Sequence, residues 1–284
     1  MFKISDTYSL KDIYDFQLSF QTPYFFNVDF EIWKNSFEND IDGEGRALFK
    51  ELDVKAVYDN EELVGFIQYG KTAFGFDNNG EISSEISYPV IRNFYFLKEI
   101  PEAGNLLLNK AMQALNAEDR IYAFFHYFGM SCFARHGKLF ERHTHIETML
   151  KENDFVIEHE NVYYSSVINN DENSEVAITA NDPTKGNQQY IDFKIDDKQV
   201  GGCEVHYIDE STAYLRWIYV NGDITGKGIG TKCMKALKHF LYEKGIKSFD
   251  TDTALNNLVA QHYYEKNSFI REGVTRSYYK NLEK

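Results

Sequence analysis

The chain has 284 residues, of which 43% are hydrophobic and 26% are charged, so neither wholesale disorder nor a proline-rich spacer fits it. Acidic residues number 44 against 30 basic ones, and the net charge of −14 disfavours a nucleic-acid partner, whose phosphates need a clustered positive surface. The length is natural for two domains of roughly 140 residues each.

Cysteine usage and the first residues bear on the cell compartment. Cys132, Cys203 and Cys233 are an odd number without a CxxC pair, which disfavours a disulfide scaffold and a zinc ribbon. Residues 1–6 lack the apolar core of a signal peptide, and no run is long enough to span a bilayer. We therefore expect a cytoplasmic protein without a membrane partner.

The first half of the chain predicts two helices followed by a sheet. The helices are expected around residues 10–20 and 30–37. A hairpin turn then ends at Gly65, a strand covers Ile91–Phe96, and Gly104 follows it at the start of the next predicted helix.

A polar, acidic stretch without periodic hydrophobicity covers residues 167–175 and predicts a linker. We therefore predict two domains, 1–168 and 174–284.

The second half predicts the same order of elements without the two leading helices. Its expected parts are a hairpin of strands 190–195 and 200–207, a strand at 213–220, a glycine loop at 226–230, a helix that ends at Gly245, a strand at 247–253, a short helix, and a strand that opens at Phe269.

Short matching segments indicate that the halves are copies of each other. Leu215–Val220 resembles Ile91–Phe96, and Asn267–Phe269 ends a helix as Asn153–Phe155 does. The second copy lacks the leading helices, so something else must cover that side of its sheet.

The glycine loop is the clearest chemical signal. Gly226-Lys-Gly-Ile-Gly230 connects a strand to an amphipathic helix, where backbone N–H groups and the helix dipole suit a pyrophosphate. Gly228 and Gly230 leave room where a Cβ would block the phosphate. The spacing fits neither the P-loop nor the dinucleotide-fold pattern.

Two motifs resemble the GNAT superfamily of CoA-dependent N-acetyltransferases. The signature Arg/Gln-x-x-Gly-x-Gly/Ala corresponds to Thr225–Gly230, and the motif Asn-x-x-Ala-x-x-x-Tyr-x-Lys-x-Gly-Phe corresponds to Asn257–Phe269. Thr225 replaces the usual Arg or Gln, and Ser268 replaces the usual glycine.

The resemblance implies a fold and an activity. The expected architecture is α/β (α+β), with two tandem GNAT-like domains, each a mixed twisted sheet flanked by helices. The expected reaction moves an acetyl group from acetyl-CoA to a primary amine by direct attack in a ternary complex. A non-catalytic CoA or ligand sensor, and a transferase of another acyl group, stay open as alternatives.

The resemblance also implies which residues bind acetyl-CoA. The strand that ends at Val220 is expected to bulge and to splay from its neighbour, so that the pantetheine arm adds to its edge and a backbone N–H polarises the thioester. The expected contacts are Ile218, Val220, Thr225, Gly226, Lys227, Gly228, Ile229, Gly230, Thr231 and Asn257.

Two side chains are the predicted catalytic groups. Tyr264 has the family's tyrosine position and would protonate the thiolate, although a core aromatic is the alternative. Glu204 is the candidate base; His206, on the same strand face, and Asp223 are others. Asn257 is equally consistent with a helix cap.

The acceptor is expected to be a small-molecule or peptide amine that is cationic before deprotonation, because the net charge is −14. No metal is expected, since the spacing of His136, His143, His145 and Glu147 does not form a ligand set on one helix face.

The N-terminal copy is expected to bind no acetyl-CoA and to help build the acceptor site, and a relic that only stabilises the protein is the alternative. Leu106 stands where the second copy has Gly230, and Leu150 stands where it has Tyr264.

Overall fold

The computed structural model describes residues 2–20, 29–42, 45–115, 120–130, 137–169, 174–183, 187–222 and 226–282. The predicted Thr225 and Asp223, together with Cys132 and His136, lie outside these ranges. The chain divides into two compact units: unit 1 comprises Met1–Glu160 and Thr275–Lys284, and unit 2 comprises Asn161–Val274.

The two units are not the two segments that a single boundary at the predicted linker would give. The last ten residues of the chain belong to unit 1, because the strand that contains them starts in unit 2 and ends in unit 1. The domain boundaries 1–168 and 174–284 stay a prediction about which segments fold together.

Unit 1 contains the two predicted helices and a mixed sheet. Its elements are β1 (Lys3–Ser5), α1 (Leu10–Leu18), α2 (Phe30–Asn39), β2 (Phe49–Asp59), β3 (Glu62–Thr72), β4 (Gly75–Phe76), β5 (Ile82–Ser83), β6 (Pro89–Phe96), α3 (Pro101–Leu115), β7 (Arg120–Ala123), β8 (Leu139–Phe140) and α4 (Thr144–Glu152). The strand β9 (Val156–Val167) starts in unit 1 and ends in unit 2.

Unit 2 repeats the sheet and the last two helices. Its elements are β10 (Ala177–Ala180), β11 (Gln188–Ile195), β12 (Lys198–Tyr207), β13 (Thr212–Val220), α5 (Ile229–Glu243), β14 (Ser248–Ala254) and α6 (Leu258–Lys266). The strand β15 (Ile270–Asn281) starts in unit 2 and ends in unit 1.

Each sheet contains one parallel pair of strands in the same place. The order in unit 1 is β1-β2-β3-β6-β7-β15, and β6 is parallel to β7. The order in unit 2 is β9-β14-β13-β12-β11-β10, and β13 is parallel to β14. The predicted α/β architecture of mixed sheets flanked by helices is confirmed.

The hairpin turns show how closely the units agree. Asn60 and Glu61 join β2 to β3 with φ of 47° and 72°, and Asp196 and Asp197 join β11 to β12 with φ of 48° and 61°. Two consecutive left-handed residues define the turn whose twist matches a two-residue hairpin. Both turns set the register of the strands that follow.

The segment after the last helix also agrees. Asp154 and Ser268 have φ of 63° and 64°, and the next residue in each unit, a phenylalanine, donates its N–H to a carbonyl five residues back at 3.0 Å. A left-handed conformation explains why the family motif has glycine where this chain has Ser268.

The helices of unit 1 pack against its sheet. Ser9 and Asp29 cap α1 and α2, and their side chains accept hydrogen bonds from Asp12 N and Ile32 N. The helices α1 and α2 lie over the face of β3 and β6 that carries Gln68. The side-chain amide of Gln68 donates to the carbonyl oxygen of Phe37 in α2 at 2.7 Å. The helices α3 and α4 complete the same core.

Unit 2 has counterparts of α3 and α4 only, within its described residues. The apolar side of α5 packs with α6 and the sheet in one core cluster, which includes Cys233, Leu237 and Tyr264. No helix in the described part of the chain is both long and apolar enough to span a membrane.

Candidate functional site

The strand β13 leaves its neighbour in the middle of the sheet. Glu204 pairs with Trp217 and Val205 pairs with Leu215, so Arg216 is one extra residue, a β-bulge. Pairing with β14 ends at Leu215 and Thr251, and β14 then continues beside β9. The bulge and the splay expected from the resemblance are therefore present, and we call this opening the fork.

A hydrogen bond marks the base of the fork. The Thr251 hydroxyl donates to the carbonyl oxygen of Leu215 at 3.0 Å, at the last paired position. Ile218 and Val220 pack against the core of unit 2 with partly buried side chains. Their main-chain atoms lie on the part of β13 that has separated from β14.

The glycine loop lies directly after the fork. Gly226 and Gly228 have φ of 77° and 79°, a left-handed conformation that favours glycine, and Gly228 is the N-cap of α5. Among the described residues, nothing lies within 4 Å of a Cβ built at either position. Gly228 has no side chain to cap α5, so the first-turn N–H groups of Ile229, Gly230 and Thr231 have no side-chain cap, and uncapped helix N-termini of this kind suit anions.

Gly230 has a different reason to be glycine. A Cβ there would lie 3.1 Å from Cε2 of Tyr263, and the Tyr263 phenol donates to the Gly230 carbonyl at 2.8 Å. The sequence predicted that Gly230 makes room for a ligand and that Tyr263 only packs. The structure adds that Tyr263 anchors the first turn of α5. The sequence position of Tyr263, one residue before the motif tyrosine, gave no sign of this contact.

Tyr264 lies in the core of unit 2. Its ring is 5.5 Å from that of Phe269 and 5.8 Å from that of Tyr164, and the residue is buried. Asn257 caps α6 by accepting a hydrogen bond from Ala260 N at 3.2 Å. The catalytic role of Tyr264 and the ligand contact of Asn257 stay predictions.

Glu204 is a buried carboxylate with three donors. Its side chain accepts from His206 Nε2 at 2.7 Å, Trp217 Nε1 at 2.8 Å and Arg216 Nη1 at 2.9 Å. Burial alone would raise the pKa of Glu204, but these hydrogen bonds outweigh it and hold the pKa below its ordinary value. These donors tie the carboxylate to β12 and β13 at the bulge, and the base role of Glu204 stays a prediction.

Asp250 is a second buried carboxylate, and the sequence did not single it out. Its side chain accepts a hydrogen bond from the Tyr163 phenol at 2.9 Å. Burial raises the pKa of Asp250 to about 7. Its alternation with Phe249 along β14 places it on the face opposite α5.

Comparison with known proteins agrees with this geometry. Residues 153–269 match the model of the acetyltransferase (GNAT) family. These residues are a GNAT domain. The match includes the fork, the glycine loop and the tyrosine motif, and no curated protein matches the chain.

Solved structures extend the likeness to the whole chain. A tandem GNAT protein from the clavulanic acid biosynthesis pathway superimposes with a TM-score of 0.63 at 8% identity, over 100% of this chain and 99% of that one. A GCN5-related N-acetyltransferase from Sphaerobacter thermophilus gives 0.59 at 9% identity, over 100% and 96%. A glucosamine N-acetyltransferase region of a fungal β-N-acetylglucosaminidase gives 0.63 at 10%, over 98% of this chain and 38% of that one. The chain therefore has the tandem GNAT fold.

The first GNAT-like unit repeats the bulge, but its described residues 97–100, between β6 and α3, include no glycine. Arg92 is its extra residue, between the pairs Gln68–Asn93 and Tyr69–Ile91. The helix α3 starts at Pro101, and a Cβ on Gly104 would lie 2.7 Å from the Phe96 ring. Gly104 thus packs against the sheet, whereas its counterpart Gly228 turns the backbone.

The side chain of Arg92 is also buried in unit 1. Arg92 forms an ion pair with Asp40 and donates to the Ser36 carbonyl at 2.9 Å. Asp40 lies directly after α2, so this contact joins the helical layer to the bulge.

Titratable residues singled out for metal binding lie in packed positions. His145 Nε2 is 3.0 Å from the carbonyl oxygen of Phe96, and burial lowers the pKa of His143 to about 4. In the part of the chain that the structure describes, no three His, Cys, Asp or Glu side chains are placed to hold a metal ion.

Proposed function

We propose that the GNAT domain transfers an acetyl group from acetyl-CoA to a primary amine. The observation that carries this proposal is the fork, where β13 separates from β14 directly before an open, left-handed glycine loop. A pyrophosphate and an extended thioester arm need these two features next to each other.

The residues divide the binding of acetyl-CoA between them. The N–H groups of Ile229, Gly230 and Thr231 receive the pyrophosphate, with Gly226 and Lys227 beside it. The backbone of Ile218 and Val220 bonds the pantetheine arm as an added strand, and an N–H on this segment polarises the thioester carbonyl.

The chemical step is a direct aminolysis of the thioester. The neutral amine nitrogen attacks the carbonyl carbon, a C–N bond forms, and the C–S bond breaks. The thiolate takes a proton from the Tyr264 phenol, and the nitrogen loses one proton to a base, so that the products are an N-acetyl amide and CoA. Glu204 is the sequence-based candidate for that base, and its lowered pKa makes it a weaker base than an ordinary carboxylate.

The net charge and one structural neighbour support the acceptor class that we propose. The net charge of −14 favours a cationic amine at the domain surface. The fungal neighbour is a glucosamine N-acetyltransferase region, and glucosamine is a small polar amine. We infer a small, cationic primary amine as the acceptor here.

Calorimetry with the full-length protein tests the proposal. We expect one acetyl-CoA per chain, and thiol release that depends on an added primary amine. Binding without thiol release on any amine of a broad panel would favour a CoA sensor. A preference for a longer acyl-CoA would favour another acyl transfer, and two acetyl-CoA per chain would contradict the expectation that unit 1 binds none.

A further inference from the structure

Three aromatic side chains of unit 2 are exposed on the sheet face opposite α5. Tyr190, Trp217 and Tyr219 are 46%, 38% and 46% exposed. The ring centroid of Trp217 lies 6.1 Å from that of Tyr190 and 5.9 Å from that of Tyr219. We call these three rings the aromatic shelf.

Unit 1 shows what this face looks like when it is covered. By strand register, Gln68 and Asn93 correspond to Glu204 and Trp217. In unit 1 the α1 residue Gln17 bonds Asn93 at 3.2 Å, so the position is closed by a helix. Unit 2 has no counterpart of α1 within its described residues, and a tryptophan stands there instead.

A glycine shapes the shelf at the second pair. Gly202 pairs with Tyr219 as Phe66 pairs with Tyr95. In unit 1 these two rings stack at 5.7 Å inside the core. In unit 2 a Cβ at Gly202 would lie 3.1 Å from the Tyr219 ring, so the absent side chain lets that ring lie across β12.

The tryptophan is fixed in place and offers only its ring. Its indole N–H donates to buried Glu204 at 2.8 Å, which uses its one polar atom. The same carboxylate bonds Arg216 at 2.9 Å and so compensates its positive charge. What remains accessible is a π face, which attracts cations.

A negative charge borders the shelf. Gln199 Nε2 donates to Asp192 Oδ1 at 2.7 Å and lies 3.4 Å from the Tyr219 phenol. Asp192 is exposed on the same strand face as Tyr190, two residues away. Aromatic faces next to a carboxylate suit a small organic ammonium ion.

The shelf lies along the segment that would bind the thioester. Trp217 and Tyr219 alternate with Ile218 and Val220 on the part of β13 beyond the bulge. We propose that the shelf binds an ammonium group of the acceptor other than the amine that is acetylated. The assignment to an acceptor rests on the proposed function, and it narrows the substrate class to diamines and polyamines.

Fluorescence gives a test that does not need turnover. The chain has two tryptophans, of which Trp33 is fully buried, so a ligand on the shelf changes the emission of Trp217. We expect choline to change it saturably and its neutral isostere 3,3-dimethylbutan-1-ol to have a much smaller effect. Equal effects of the two compounds, or no effect of either, would overturn the shelf, whether or not acetyl-CoA binds.

Kinetics then test the link to the acceptor. We expect KM for 1,4-diaminobutane to be about 3- to 30-fold below that for 1-aminobutane, the range of a cation–π contact. Trp217→Leu should remove this ratio, and Trp217→Phe should keep most of it. Tyr190→Leu serves as the second shelf variant if Trp217→Leu does not fold.

Tyr242→Leu is the matched control, because Tyr242 is an exposed tyrosine on α5, outside the shelf. An unchanged KM ratio in both shelf variants would overturn the proposal. Absence of acetyl-CoA binding by calorimetry would instead defeat the proposed function, while the choline measurement would still decide the shelf.

Discussion

The phenol of Tyr263 donates a 2.8 Å hydrogen bond to the carbonyl oxygen of Gly230. The bond joins α6, which carries the tyrosine motif, to the first turn of α5, which carries the proposed phosphate-binding donors. Burial raises the pKa of Tyr263, so the phenol stays a donor at neutral pH.

Tyr263→Phe is therefore expected to loosen the first turn of α5 while it keeps the ring. One lost hydrogen bond corresponds to about 2- to 13-fold weaker acetyl-CoA binding, with kcat at saturation nearly unchanged. Calorimetry with the variant and with wild type measures the change. Equal affinity would mean that the bond does not position the loop.

Substitutions at two glycines with the same left-handed backbone conformation test the phosphate-binding role of the loop. Gly228 and Gly245 have φ of 79° and 84°, and a Cβ would meet nothing within 4 Å among the described residues. Alanine at either position should lower stability by roughly 1–2 kcal/mol, because both are left-handed. Only Gly228→Ala should also weaken acetyl-CoA binding, by about 10-fold or more, since it disturbs charge-assisted donors.

The comparison of Gly228→Ala with Gly245→Ala is more informative than a larger substitution in the glycine loop. Valine at Gly230 would clash with the Tyr263 ring, and its effect would not report on the ligand alone. Comparable loss of affinity in Gly245→Ala would show that strain, rather than the phosphate site, controls binding.

Tyr264→Phe separates catalysis from packing. The variant keeps the ring that packs on Phe269 and removes the phenol. We expect kcat to fall by about 10²- to 10⁴-fold with acetyl-CoA affinity nearly intact, the usual scale for a lost general acid. A kcat equal to that of wild type would leave Tyr264 as a core residue.

The substitutions Glu204→Gln and Glu204→Ala test whether the side chain of Glu204 is a base or a structural group. The side-chain amide of the variant Glu204→Gln can still accept from Trp217, as the Gln68 amide accepts from Asn93 at 2.8 Å in unit 1. If the side chain only holds the bulge, kcat of Glu204→Gln stays within about 10-fold of the wild-type value. The kcat of Glu204→Ala then falls much further, because the buried donors of His206, Arg216 and Trp217 are left unsatisfied. If the side chain is a base, both variants lose about 10²- to 10⁴-fold.

The pKa of Glu204 also predicts a pH dependence of stability. Because the folded-state pKa lies below the unfolded value of 4.5, its contribution is present above pH 4.5 and is lost as pH falls through the folded pKa. Thermal melts of wild type and Glu204→Gln should therefore converge in acid. Parallel melting curves down to pH 3 would contradict this.

The contribution of Asp250 to stability should depend on pH with the opposite sign to that of Glu204. Its pKa is raised from 3.8 to about 7, so the folded state holds the proton more tightly than the unfolded chain. Between these pH values its contribution to stability falls as pH rises, because the unfolded chain releases the proton that the folded state keeps. Asp250→Asn is expected to raise Tm relative to wild type at pH 8 and to differ little at pH 4.

Tyr163→Phe is the companion variant. The Tyr163 phenol donates to Asp250 and lowers its pKa, so removal of the phenol should move the pH window upward. Melting curves of Asp250→Asn that track wild type from pH 4 to pH 8 would show that Asp250 ionises without cost.

One truncation is expected to fail for a structural reason. A fragment that starts near residue 173 lacks β9, whose residues Asn161–Val167 pair along all of β14. The fragment would leave the whole of β14 without its β9 partner as an exposed edge, so the full chain is the appropriate protein for every measurement above.

The sequence determined the local elements and their order. The helices α1 and α2, the two hairpins, and the glycine loop before α5 follow from apolar periodicity and from turn residues such as Asp196 and Asp197, which act over a few positions. The matching segments of the two copies were visible for the same reason, because strand, loop and helix recur in one order.

The tertiary structure decided which groups meet across strands. That Arg216 is the extra residue, that Glu204 bonds Trp217, and that Tyr263 anchors Gly230 depend on register and on helix packing. Residues 13 or 33 positions apart leave no periodic signal in a sequence, because their contact is set by the path of the whole chain between them. Burial of Asp250, and hence its raised pKa, is decided in the same way, since desolvation is a property of all the neighbours together.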